Sequence, residues 1–357
     1  MRPPRERGFE LIVDLRSDTV TLPTEEMLEA IRHAKLGDDN FHEDPTVNAL
    51  EEMAAKKLGK EAALLVTSGT QGNLVSLMVH TRRGDEVILE ADAHIYHFEV
   101  GGLSSIAGLV PRLIPGSLGI LDPRDVEEAI RPPDIHQPKT SLICIEDTHN
   151  LAGGTCWPPD RIKAIGDLAH NHGLAVHMDG ARIFNASVAL RIDARELTKP
   201  VDSVMFCLSK GLCCPAGSLI VGNEEFIEKA RRVRKLLGGG MRKAGILAAP
   251  GIIALEKMIG RLEEDHENAR RLALGLSKIP GIAIDLKRVQ TNIVFFELEN
   301  MDLKPQGFID AIGSRGVKAL AFGKRIRMVT HKDITKESID YALEVCEEVA
   351  LKAYSKL

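Results

Sequence analysis

Three short stretches carry residue types that could do chemistry together. "SVMFCLSKGLCCPAG", Ser203–Gly217, reads as an apolar strand running into a glycine turn, and its one charged group is Lys210. A lysine held in a desolvated pocket becomes a usable nucleophile toward carbonyls, because burial disfavours its ammonium form. "VHMDGARI", Val176–Ile183, puts Asp179 at a strand end with Arg182 three residues on. "VTSGTQGN", Val66–Asn73, reads as a strand followed by a Gly-rich helix start that includes Ser68, Gly69 and Thr70. Backbone N–H groups and the helix dipole at such a start favour an anion such as phosphate. Each stretch alone has an ordinary reading: a lysine that snorkels to solvent, an aspartate that caps a helix, a βα turn that needs small residues.

Taken together the three make a set. A phosphate cradle, a strand-end carboxylate and a strand-end amine are the parts that hold pyridoxal phosphate. The phosphate needs backbone donors, the pyridine nitrogen needs a carboxylate that keeps it protonated, and the aldehyde needs an amine for a Schiff base.

The elements that would position these residues follow from periodicity. "AALLVTSG", "DEVILEAD", "TSLICIED", "GLAVHMDG", "DSVMFCLS" and "GSLIVGN" are near-continuously apolar, as strands covered on both faces should be. Helical runs lie between them. Asp44-Pro45 is an N-cap followed by a proline at the first helical position, and Gly59 closes that helix. Asp122-Pro123 repeats the start signal, and "PPDRIKAIGDLAHNHG" is another helix with a glycine stop. Strands alternating with helices imply an α/β fold with a mostly parallel sheet between helix layers. After about Gly251 the pattern changes to a long helix, the strands "NIVFFEL" and "IRMVTH", and a last helix from about Thr335. The expected organisation is a large domain over 45–250 and a smaller α+β domain made of 1–44 and 251–357.

Composition narrows the classes. A net charge of -5 argues against a nucleic-acid binder, which would show a basic face. No apolar run reaches the roughly 18 residues of a membrane span, and the first residues lack the apolar core of a signal peptide. Six cysteines without a C-x-x-C pair read as free thiols in a reducing, cytoplasmic compartment.

The chain resembles a known family at long, ordered motifs: "LRSDTVTLPTEEM", "EDPTVNALE", "GKEAALLVTSGTQGN", "VHMDGARIFNA", "CLSKGL", "GGGMRKAGILAAPG" and "RMVTH". These are similar to the low-specificity L-threonine aldolases, in the beta-eliminating lyase group of the aspartate-aminotransferase-like pyridoxal-phosphate enzymes. The resemblance runs from about Leu15 to the C-terminus. It implies a homo-oligomer, a tetramer with shared active sites, that cleaves threonine, allo-threonine and other β-hydroxy-α-amino acids to glycine and an aldehyde.

The same resemblance implies the site residues. Lys210 of "CLSKGL" carries the Schiff base, and Asp179 of "VHMDGAR" pairs with the pyridine nitrogen. Gly69 and Thr70, with Ser68, hold the phosphate. His94 of "EADAHIYHFE" stacks on the cofactor ring and is one candidate base. His136 of "DIHQPKT" is the other, placed near the substrate hydroxyl. Ser17 of "LRSDT", Arg182 and Arg327 of "RIRMVTH" grip the substrate carboxylate. Arg242 of "GGGMR" reaches a phosphate. No metal ligand is implied. Taken alone, the histidines could be surface or core polar groups, Ser17 a turn former, Arg327 a charged strand residue and Arg242 a solubiliser. Another lyase or an aminotransferase on the same scaffold would share Lys210 and Asp179. The chain departs from the family at Phe41-His42, where Tyr-Gly is usual, at Asp147, where Asn is common, and at Cys214, where a small residue is usual.

Overall fold

The computed structural model describes residues 12–354. They divide into two compact units: Leu22–Gly260 is one, and the chain up to Thr21 together with the chain from Arg261 onward is the other. The first strand, β1 (Val13–Asp14), belongs to the second unit.

The unit Leu22–Gly260 is built on a seven-stranded sheet. Its strands are β2 (Ala62–Val66), β3 (Glu86–Glu90), β4 (Val110–Ile114), β5 (Thr140–Glu146), β6 (Ala175–Asp179), β7 (Ser203–Cys207) and β8 (Ser218–Gly222). The order is β2-β8-β7-β6-β5-β3-β4. Only β8 runs against its neighbours. The apolar runs of the sequence become fully buried strands: β3, β7 and β8 are buried at every position. Leu64 and Val66 pack with Val75, Met205 and Phe226 beneath the helices Gly69–His80 and Glu224–Leu236. The helix Pro45–Leu58 packs on β2 and β8, and Pro159–Asn171 packs on β6. The sandwich expected of an α/β fold is thus present.

The start signals act as read. Asp44 Oδ1 accepts from the N–H groups of Thr46 and Val47, both at 3.1 Å, and Gly59 ends that helix at φ 63°. Asp122 Oδ1 caps the helix Pro123–Ala129 through Arg124 N–H at 2.9 Å. The run after Gly251 behaves differently. The helix Gly245–Ile253 passes into a π turn at Ala254–Met258, and a new helix begins at Leu262 and ends at Leu276. Gly260 between them lowers helix propensity by about 1 kcal/mol relative to Ala, which marks the break.

The second unit has its own core. Strands β9 (Ile282–Ala283), β10 (Ile293–Leu298), β11 (Val317–Lys318), β12 (Leu320–Phe322) and β13 (Arg325–Val329) follow in the chain. Four of them form an antiparallel sheet in the order β12-β13-β10-β9, and β1 pairs with β11 in parallel. Val294, Phe296, Ile326 and Met328 pack against Leu272, Phe308 and Val345 from three helices. No helix among the described residues is long and apolar enough to cross a membrane.

Candidate active site

In the unit Leu22–Gly260 the parallel strands bring their carboxyl ends to one edge of the sheet. That edge is where ligands bind in open α/β sheets. β2 ends at Val66 and feeds the helix that starts at Gly69; β6 ends on Asp179; Lys210 stands three residues past β7, and His94 four past β3. Asp179 is in register with Glu146 on one side and Met205 on the other.

The helix start is set down close on the sheet because Gly69 and Gly72 have no side chains to hold it off. A Cβ on Gly69 would lie 3.1 Å from Cys207 Sγ, and one on Gly72 would lie 2.7 Å from Met205 Cγ. Ser68 caps the helix, its Oγ accepting from Gln71 N–H at 3.2 Å. The glycine run passes against the same turn: a Cβ on Gly239 would sit 2.2 Å from Gln71 Nε2. Lys210 is half-buried in a turn closed by Cys213 N–H donating to its carbonyl at 2.8 Å. Ala181, the buried Arg182, Asn185, Cys207 and Lys210 line one small cavity.

Asp179 is 2% exposed. Its Oδ1 accepts from Ala181 N–H at 3.1 Å and its Oδ2 from Asn73 Nδ2 at 2.9 Å. Asn73 also donates to Glu99 Oε1 at 2.8 Å. His94 Nδ1 lies 3.1 Å from that same oxygen. Two donors converge on Glu99 Oε1, so it accepts as a bare carboxylate oxygen, and His94 carries its proton on Nδ1. Nε2 of His94 is then left for other work. The backbone of His94 is held as well, its N–H donating to Glu146 Oε2 at 2.6 Å. Burial works against a charge on the His94 ring, but the Glu99 hydrogen bond and the charges of Asp179 and Glu146 outweigh it, so its pKa stands above the usual 6.5. Burial, with the Asp179 charge adding to it, pushes the Glu99 carboxyl above its usual range, while His94 and Asn73 pull it back.

The expected residues therefore fall into groups. Ser68, Gly69, Thr70, His94, Asp179, Arg182 and Lys210 come together at one sheet edge. Arg242 is exposed on the same unit, its guanidinium 3.1 Å from Asp38 Oδ2, on the rim of an open cavity of about 940 Å³ that Phe41 and His42 also line. His136 is exposed in the loop that precedes β5, tied to Asp134 at 2.9 Å. β5 runs from that loop to Glu146, so His136 sits at the opposite edge of the sheet, roughly 20 Å from the site at about 3.3 Å per strand residue. Ser17 and Arg327 belong to the other unit. Ser17 caps the turn Asp18–Val20, and Arg327 donates from Nη2 to the Arg16 carbonyl at 3.2 Å. Asn73, Glu99, Glu146 and His177 were not singled out from sequence. Asn73 and His177 could have been: each is a polar group on an apolar element, and His177 shares the β6 face of Asp179 two residues on.

The donor set fits pyridoxal phosphate. The helix start whose glycines allow close approach suits the phosphate, the buried and doubly hydrogen-bonded Asp179 suits a protonated ring nitrogen, and Lys210 suits the aldehyde.

Comparison with known proteins agrees with this geometry. The beta-eliminating lyase family model matches residues 14–300. A low-specificity L-threonine aldolase of Arabidopsis thaliana is 44% identical over 345 residues, covering 95% of this chain and 96% of that protein. The low specificity L-threonine aldolase of Escherichia coli K12 is 43% identical over 329 residues, 92% of this chain and 96% of that one. Among solved structures, a threonine aldolase of Leishmania major superposes with a TM-score of 0.80 at 19% identity, over 94% of this chain and 99% of that one. A structure described as a putative L-allo-threonine aldolase of Listeria monocytogenes gives 0.76 at 21% identity, over 90% and 92%. These two establish the fold, and the sequence relatives establish the kinship. The chain belongs to the beta-eliminating lyase family, among its low-specificity L-threonine aldolases.

Proposed function

We propose that the chain cleaves L-threonine, L-allo-threonine and other β-hydroxy-α-amino acids to glycine and an aldehyde. The observation that carries this reading is the placing of Lys210, Asp179, Arg182 and the Gly69 helix start on one sheet edge, in a chain 44% identical to a curated aldolase. Pyridoxal phosphate, the cofactor of this family, supplies an electron sink for the bond between Cα and Cβ. Lys210 supplies the amine that tethers the aldehyde. Asp179 holds a proton at the ring nitrogen and so stabilises the charge that develops. Ser68, Gly69 and Thr70 hold the phosphate with backbone and hydroxyl donors. Arg182 grips the substrate carboxylate with the two-point geometry of a guanidinium, a task we also give Ser17 and Arg327. His94, with Nδ1 committed to Glu99, uses Nε2 to hold or take the proton of the β-hydroxyl.

The cofactor-holding residues fall within 45–250, and Ser17 and Arg327 within 1–44 and 251–357, the division of labour assigned to two domains. Arg242 and His136 lie outside the cluster in their own chain. We assign both to a neighbour's site in a cytoplasmic homotetramer, Arg242 at the phosphate and His136 near the substrate hydroxyl. The test is an assay of L-threonine, L-allo-threonine and D-threonine with glycine, aldehyde, ammonia and keto acid all quantified. Equimolar glycine and acetaldehyde from the two L isomers supports the reading. Ammonia or a keto acid as the main product assigns the scaffold to a β-eliminating lyase or an aminotransferase instead.

A further inference from the structure

Behind Asp179 runs a line of buried polar groups that no step above uses. Asn73 donates both amide protons, one to Asp179 and one to Glu99. Its Oδ1 is then the one atom left to face His177 Nε2, 3.1 Å away. The opposite amide orientation would turn an oxygen toward two carboxylates, so the assignment is fixed by charge. Nε2 of His177 must therefore carry the hydrogen, and Nδ1 must be a bare acceptor. Ser203 Oγ lies 2.9 Å from Nδ1 and so donates to it. The lone pair of Ser203 then accepts from His80 Nε2 at 2.7 Å. His80 is itself held flat against Phe226, ring centroids 4.7 Å apart.

With neutral imidazoles one arrangement of protons satisfies every member, and in it the bonds from His80 through Ser203, His177 and Asn73 all run in one sense toward Asp179, with the second Asn73 proton going to Glu99. Asn73, His177 and Ser203 are wholly buried. A carboxylate taken out of water needs donors in place of the water it lost, and aligned hydrogen bonds in a dry interior polarise one another. The line also requires a neutral His177, since a second proton on its Nδ1 would take the place of the Ser203 hydroxyl proton and leave that proton without its acceptor. Burial, with His80 next to it, holds the His177 pKa down at about 3. Burial likewise holds His80 at about 4, with Lys229 lowering it further and Asp202 opposing.

We propose that Asn73, His177, Ser203 and His80 are positioning residues that hold the Asp179 side chain aimed at the ring nitrogen of the cofactor, and so set the electron demand of the ring without touching reacting atoms. The proposal rests on the role given to Asp179 above. It explains why a strand as apolar as β6 carries His177 two residues before Asp179, on the same face.

The test compares two ligands on the full chain stripped of cofactor: pyridoxal phosphate, and the same phosphate-bearing aldehyde built on benzene, which has no ring nitrogen. Calorimetric titration gives the ratio of their dissociation constants. His177→Phe is expected to lower the preference for the pyridine ring about fivefold, the scale of one neutral hydrogen bond. His177→Gln, which can still donate to Asn73, is expected to restore it. Should His177→Phe not fold, Ser203→Ala removes the next link and is expected to lower the preference about two- to threefold. An equal weakening of both ligands, or an unchanged ratio in the folded variants, overturns the relay. Asp179→Asn separates the two ideas. If it shifts the ratio and the relay variants do not, the relay alone fails; if it leaves the ratio unchanged, the Asp179 assignment and the relay fail together.

Discussion

Asp147 stands where Asn is usual in the family, and the structure turns that single atom into a measurable slope. Asp147 is wholly buried, and its backbone N–H donates to the Asp179 carbonyl at 2.9 Å. Its Oδ1 accepts from Trp157 N–H at 3.2 Å, while Oδ2 is buried with no partner. Burial is the main cause that pushes its pKa from 3.8 to about 8; the Glu146 charge adds to it, and Trp157 N–H and His149 oppose it. Between those values the folded chain keeps a proton that the unfolded chain releases. Stability must therefore fall as pH rises, by about 1.4 kcal/mol per unit, and the slope vanishes below about pH 4 and above about pH 8. Asp147→Asn keeps the size, stays neutral and removes this slope. Urea unfolding of both proteins from pH 5 to 8, at fixed chain and cofactor concentrations, reads the difference. The variant is expected to gain about 4 kcal/mol relative to the parent over those three units. A difference that stays constant across the range refutes the reasoning, because Asp147 would then titrate alike in both states.

Other perturbations test the local geometry. Gly72→Ala gains about 1 kcal/mol of helix propensity but drives a Cβ to 2.7 Å from Met205 Cγ, and overpacking costs about 1–3 kcal/mol. The net expectation is a melting point lower by about 2 °C and weaker cofactor binding; a rise in melting point contradicts it. His42 is exposed with φ 58°, the left-handed region where glycine is at no disadvantage. His42→Gly should stabilise the fold by about 1 kcal/mol in urea unfolding, and a loss of stability would count against the strain. Glu99→Gln removes a carboxylate that favours the charged form of the His94 ring, so the His94 pKa should fall in an NMR titration of the ring. The linked stability has a definite sign: His94 contributes it fully below pH 6.5 and loses it as pH rises through the raised folded value, and the variant should lack that loss.

How much of this was legible in the sequence depended on the range of the signal. Gly69, Asp179 and Lys210 were readable because each sits where an apolar strand stops, and a stop is local. Strand β4 was not read. It is an edge strand with alternating exposed positions and Pro111 inside it, so it lacks the continuous apolar run of its neighbours. The sequence after Gly251 reads as one long helix, because the apolar positions continue across the π turn at Ala254–Met258. The Asn73–Asp179 contact spans 106 residues, and no window of sequence shows it. His136 is a different lesson. Its motif is legible and chain order puts it before β5, but that this end lies away from Asp179 follows only from the parallel pairing of β5 with β6.

The most direct test of Lys210 as the cofactor-tethering amine is the turnover of L-threonine by the parent and by Lys210→Ala, each supplied with pyridoxal phosphate, with glycine and acetaldehyde counted together. The parent should yield the two products in equal amounts. The variant should lose the visible absorbance of bound cofactor and at least about a thousandfold in rate. Equimolar products at near-parent rate from Lys210→Ala would contradict the assignment.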